Sequence, residues 1–217
     1  MKRYLIFSLV IVISFVLVGC AFTVHKTTLD YTYQGKTPIK SDKYSKSALV
    51  GAFTDQRGTS TPNMIINFRN GYGAVTSGGY EAEMPISVVV QEAIKSGLNQ
   101  AGLTGNNNSN YSLTGSVEKY YVDAKAERPF QRNYKGVLSV KIQLTDVKTN
   151  KVIFRDTFTG EGFSSDDSSD RETIVRDTFK GSLNNLVEKL GLSSILCKRL
   201  FWYCHAKGIL PSKSIAN

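Results

Sequence analysis

Histidine is almost missing from this chain of 217 residues, with only His25 and His205, one near each end. The body between them therefore has none for a zinc-protease helix, a Ser-His-Asp triad or a Cys-His dyad. Cysteine is scarce too: Cys20, Cys197 and Cys204 are too few for a disulfide-dense scaffold. No complete Gly-x-x-x-x-Gly-Lys-Ser/Thr phosphate loop occurs, and Arg69-Asn70-Gly71-Tyr72-Gly73-Ala74 starts a Gly-x-Gly fingerprint without the strand-turn-helix setting it needs. Apolar residues make up 41% of the chain, which excludes a disordered polymer. Only one long apolar run exists, which excludes a polytopic membrane protein.

That run is the first positive signal. Met1-Lys2-Arg3 is followed by Leu5 to Val18 without a charge, and then by Leu17-Val18-Gly19-Cys20. A basic start, a short apolar core and small residues at a cut describe an export signal. Leu-Val-Gly-Cys resembles the lipobox of bacterial lipoproteins. The resemblance implies cleavage between Gly19 and Cys20, a diacylglycerol on the Cys20 thiol and an acyl chain such as palmitate on its amine. No other cofactor is expected. Ala21, rather than Asp, follows the cysteine, and the resemblance then implies an outer-membrane position facing the periplasm. The competing reading is an uncleaved transmembrane anchor, since Tyr4 to Val24 is uncharged and just long enough to span a bilayer. Gly19-Cys20 closing so short a core favours the lipobox.

The net charge is +9, and +7 once Lys2 and Arg3 are removed, from 25 basic and 18 acidic residues. A basic surface suits an anionic lipid or an envelope polymer. Nucleic acid is not expected, because no basic helix or aromatic-basic RNA motif is present.

Four regions follow: residues 1–19 as signal peptide, 20–46 as lipidated tether, 47–191 as one domain, and 192–217 as a basic, aromatic extension. Residues 21–46 lack sustained periodicity and reach at most ~90 Å when extended, with room for a short strand near Thr28–Tyr33. Ser47 to Phe53 is expected as the first strand of the domain. Residues 59–79, rich in Gly, Asn, Ser and Thr, read as a long loop around the apolar island Met64-Ile65-Ile66, with room for a small hairpin. Pro85 opens a helix carrying Ile86, Val89, Val90, Ala93, Ile94 and Leu98 at helical spacing. Three strands follow, at 111–124, 134–147 and 152–162. A second amphipathic helix starts behind a capping box of Ser169 and Glu172 and ends at Gly191. The expected fold class is α+β: a mainly antiparallel sheet with both helices on one face.

The tail carries Lys198, Arg199, Lys207 and Lys213 without an acidic residue. It is open between a third helix, an interfacial segment and a disordered extension. Cys197 and Cys204 are the pair left for a disulfide in an exported protein. Free thiols remain open, and Cys-x6-Cys-His is not a standard zinc spacing. Asp166, Asp167 and Asp170 form an acidic cluster beside Glu161 and Glu172. Paired acids serve hydrolases or bind calcium, but acids before a helix are also stabilised by its dipole, and the structural role is preferred. No metal is expected. Asp55 and Arg57, two residues apart at the end of a strand, read as an ion pair pinning a loop.

Asp55-Gln56-Arg57, Val90-Gln91-Glu92-Ala93-Ile94, Gly97-Leu98-x-x-Ala101-Gly102, Leu113-Thr114-Gly115-Ser116-Val117 and Thr159-Gly160-Glu161-Gly162 follow the lipobox in this order. Over residues 47–191 this pattern resembles the YajG-type family of bacterial lipoproteins. That family has no established activity, so the resemblance implies no catalytic residue. The element order is also similar to that of peptidoglycan-synthase activators and transport accessory subunits, an analogy of fold that does not fix function. The expectation is a lipid-anchored binding or adaptor protein, not an enzyme. Its partner would be another envelope protein met through a sheet edge or the 59–79 loop. The alternative is direct binding of peptidoglycan, lipopolysaccharide or phospholipid. A hydrolase using Asp166, Asp167 and Asp170 ranks last.

Overall fold

The computed structural model describes residues 23–29, 31, 47–69, 74–100, 103–128, 131–165 and 170–190. In chain order these form β1 (Val24–Thr27), β2 (Ala48–Asp55), β3 (Met64–Arg69), β4 (Val75–Ala82), α1 (Ile86–Gln100), β5 (Tyr111–Arg128), β6 (Gln131–Asp146), β7 (Lys151–Ser165) and α2 (Arg171–Lys189). The fold is α+β, as expected. There are two sheets instead of one, and both are mixed. The larger has the order β2-β5-β6-β7, with β2 parallel to β5 and the other pairs antiparallel. The smaller has the order β1-β4-β3, with β1 parallel to β4 and β3 antiparallel to it.

The long strands follow from alternation. Leu138, Val140, Ile142 and Leu144 of β6 are buried, while Lys141 between them is exposed. Lys148–Asn150 turns the chain into β7, with Asn150 in the left-handed region that Asn tolerates (φ 50°) and Asp146 Oδ1 accepting from the Thr149 N–H at 3.0 Å. The apolar stripes of α1 and α2 enter one core with the inner face of the larger sheet. Ile86, Val90, Ala93 and Ile94 are fully buried, as are Phe179, Leu183 and Leu186.

The seam between α2 and the sheet is closed by glycine. Added Cβ atoms at Gly160 and Gly162 of β7 would collide with the carbonyl oxygens of Ser182 and Thr178, and one at Gly136 of β6 would press on both side chains. The helix backbone lies directly on the strands, which explains Gly160-Glu161-Gly162 in the sequence. Thr178 and Ser182, fully buried, donate back to the carbonyls of Ile174 and Thr178 at 2.7 and 3.0 Å, so no hydroxyl is left over in the seam.

Three expectations change. Residues 24–29 do not belong to a free tether: β1 joins the smaller sheet, Leu29 is in the core, and the Tyr31 hydroxyl donates to Asn184 Oδ1 of α2 at 2.7 Å. His25 stacks on Tyr80, with ring centroids 5.3 Å apart. The 59–79 loop is shorter than expected because the small hairpin allowed there is formed by β3 and β4, paired antiparallel, with Ile65 and Tyr80 buried in the core. The cap of α2 is Asp170 rather than Ser169: its Oδ1 accepts from the Thr173 N–H at 2.8 Å and its Oδ2 from the Thr173 hydroxyl at 2.9 Å. A carboxylate is favoured there over a hydroxyl because it also meets the positive end of the helix dipole.

Candidate functional site

β2 ends with the buried pair expected from its sequence. Arg57 Nη2 and Nε donate to the Asp55 carboxylate, at 2.6 Å to Oδ2 and 2.9 Å to Oδ1, with the two side chains 8% and 13% exposed. The same guanidinium donates to the carbonyls of Pro62 and Met64, each at 2.8 Å. Pro62 also accepts from the Ile86 N–H at 3.0 Å. One side chain therefore ties the end of β2, the 58–63 connection, the start of β3 and the start of α1 together. Burial raises the Asp55 pKa, but side-chain and main-chain hydrogen bonds from Arg57, with its charge, outweigh this and hold it below the usual carboxylate range.

Beyond Arg57 the larger sheet has a step. β2 pairs with β5 only as far as Asp55 opposite Val117, with a last bond from the Gln56 N–H to the Val117 carbonyl at 2.8 Å. β5 continues to Arg128. On the side that β2 vacates, β3 comes near, and among the described residues no backbone hydrogen bond joins it to β5. A cavity of about 210 Å³ lies here, lined by Met64, Ile65 and Ile66 of β3, Val122 of β5, and Arg57 and Thr59 from the connection before β3.

Unused hydrogen-bonding capacity lies at this cavity. Of four buried side-chain polar atoms without a partner among the described residues, two, Tyr120 Oη and Asn67 Oδ1, belong to residues that line it. A buried polar atom without a partner costs about 1–3 kcal/mol, so two at one place call for an explanation. The Tyr120 ring is fixed edge-on against Phe179 of α2, at 5.0 Å between centroids. Burial pushes its hydroxyl pKa far above the usual value, so it is a neutral donor at any physiological pH. Tyr121 stands exposed beside it, with Lys119 Nζ 4.5 Å from its ring centroid.

A second depression, of about 360 Å³, lies on the wet face of the larger sheet among Thr54, Ser116, Lys141, Gln143 and Arg155. Its polar groups engage one another: Arg155 donates to Gln143 Oε1 at 2.6 Å. None of the unpartnered buried atoms lines it.

The other sequence candidates fare differently. Gly19, Cys20, Asp166, Asp167, Cys197, Cys204 and His205 lie outside the described residues. Asp170 is engaged as the cap of α2, and hydrogen bonds from the Thr173 N–H and hydroxyl lower its pKa. Glu161 pairs with Lys135 at 2.9 Å on the surface, and the hydrogen bond from that lysine lowers its pKa. Among the described residues no group of three His, Cys, Asp or Glu is placed to hold a metal, and no helix is long and apolar enough to cross a membrane. Tyr120 and Asn67 were missed by sequence reasoning. The one local signal was the aromatic pair Tyr120-Tyr121 inside an expected strand.

No family model and no curated protein matches this chain. Among solved structures, a Xanthomonas campestris protein of the DUF330 family superposes with a TM-score of 0.57 at 18% identity, over 85% of this chain and 99% of that one. This likeness shows a shared fold. A Caulobacter crescentus protein described as a candidate lipoprotein matches with a TM-score of 0.38 and 14% identity, over 57% of this chain and 87% of its own. A minor lipoprotein of Acinetobacter baumannii matches with 0.35 and 17%, over 48% and 81%. The structural neighbours of this chain thus include bacterial lipoproteins.

Proposed function

We propose that this chain is a lipid-anchored protein of the bacterial envelope that acts by binding another envelope protein, in the manner of a tethered adaptor. Cys20 carries the lipid, and the domain faces the periplasm from the outer membrane. The YajG-type resemblance belongs to this proposal. The lipobox at Leu17–Cys20 supports the anchor, and two or three acyl chains at ~0.8 kcal/mol per buried methylene hold a protein stably. The observation that carries binding over catalysis is the cavity between β3 and β5. Its lining combines the neutral polar groups of Tyr120, Asn67 and Thr59 and the paired Arg57 with apolar Met64, Ile65, Ile66 and Val122, a set suited to recognising a ligand and holding no carboxylate or imidazole to act as general base.

The 59–79 segment expected to meet a partner supplies one wall of that cavity. The free edge of β7 is less suited. Its Thr157 and Glu161 N–H groups donate to Asp156 Oδ1 and Asn185 Oδ1, and its Thr159 carbonyl accepts from Lys189 Nζ, the kind of cover that keeps an edge from pairing.

The test is chemical crosslinking in intact cells, comparing wild type with Cys20→Ser, alongside incorporation of labelled palmitate. The reading predicts label in the wild type alone, and a specific protein partner whose recovery falls without the anchor. Recovery of glycan or lipid fragments with no protein would replace the adaptor reading with polymer binding.

A further inference from the structure

The described residues offer two cavities, the exposed Phe163 and Val152 on β7, a cationic wet face on the larger sheet and four buried polar atoms without a partner. One place combines several of these features. The 210 Å³ cavity lies between two strands that do not bond to each other, and two of its lining residues each carry a buried orphan atom, one donor and one acceptor. Arg57 adds a further donor: four of its five N–H groups are used by Asp55, Pro62 and Met64, which leaves one on Nη1.

We propose that this cavity receives a short extended stretch of a partner protein's main chain, whose peptide carbonyl accepts from the Tyr120 hydroxyl and whose N–H donates to Asn67 Oδ1. A peptide group is the common neutral group that presents a strong donor and a strong acceptor together. A charged ligand fits less well: Arg57 is already neutralised by Asp55, and neither orphan carries charge. Size agrees. Strand rise, strand spacing and sheet spacing give an extended residue roughly 160 Å³, so the cavity holds one or two residues and not a full strand. The apolar walls then take the side chain, and the unpaired edge of β5 past Val117 lies alongside, which is strand addition on a small scale. This deepens the protein-binding reading above and rests on it.

The test uses the full mature chain in detergent micelles, with labelled methyl groups on Ile and Met, titrated with a blocked peptide of alternating valine and threonine. The proposal expects saturable shifts at the methyls of Met64, Ile65 and Ile66. Tyr120→Phe should weaken binding about fivefold, the loss of one neutral hydrogen bond, and N-methylation of the central peptide groups should abolish it. Methyls that stay still would mean that the cavity holds water only and would overturn the proposal. Equal binding by the N-methylated peptide, or shifts produced by a trimer of N-acetylglucosamine and not by the peptide, would also overturn it. A partner captured equally in cells by wild type and Tyr120→Phe would sink this proposal while leaving the adaptor reading intact.

Discussion

Two seams of this domain are built by opposite rules. Where α2 meets β6 and β7, glycines bring backbone onto backbone, and the buried Thr178 and Ser182 hydroxyls are satisfied within the helix. Where β3 passes β5, the chain leaves an opening and two buried polar atoms without partners. Both seams touch the same helix, since the Tyr120 ring leans on Phe179. On the proposed reading, the contrast separates what holds the fold from what is held ready for a ligand. A seam with no spare capacity contributes stability, whereas a seam with spare capacity gives up some stability to recognition.

The comparison breaks most severely at the closed seam. Gly162→Val forces a side chain into the Thr178 carbonyl, and the loss should be about 3 kcal/mol or more, read as a large fall in midpoint on urea denaturation. Next comes the clamp at the end of the open seam. Arg57→Ala leaves the largely buried Asp55 carboxylate without its cation and removes one donor each from the Pro62 and Met64 carbonyls, Pro62 keeping only the Ile86 N–H. A loss of about 3 kcal/mol is expected, with the methyl signals of Met64 and Ile65 moving as β3 loosens.

Acid should act on the same clamp more gently. The Asp55 pKa is lowered in the folded protein, so its contribution is fully present above the unfolded value of about 3.9 and is lost as pH falls through the folded value. Thermal midpoints measured downward from pH 5 should therefore drop progressively in the wild type and more shallowly in Asp55→Asn. The smallest effect belongs to the surface. Glu161→Gln removes an exposed pair with Lys135, and its denaturation curve should overlay that of the wild type.

The closed seam was largely legible in the sequence, and the open one was not. Ile174 to Leu190 repeats at helical spacing and Leu138 to Leu144 alternates, because each element buries one face against a single core. The Asp55-Arg57 pair could be read because two residues along a strand return to the same side. β1 could not be read, since Val24, His25 and Lys26 are all exposed and only Thr27 is buried, leaving no alternation. β3 and β4 hide in Gly- and Asn-rich sequence, and β1 pairs with β4 across more than fifty intervening positions. That contact is tertiary, and it turns one expected sheet into two. The orphan atoms are tertiary in the same sense: nothing local to Tyr120 or Asn67 says that the neighbouring strand has ended. At α2, Ser169 and Glu172 fitted a capping pattern, but the adjacent Asp170 takes the cap.

The division between the two seams is tested most directly by Tyr120→Phe, assayed at once for stability and for partner capture in cells. Removal of an unpartnered buried hydroxyl should leave the thermal midpoint unchanged or raise it, while the crosslinked partner is recovered in lower yield. A midpoint that falls by several degrees with capture unchanged would make Tyr120 a structural residue and contradict the account.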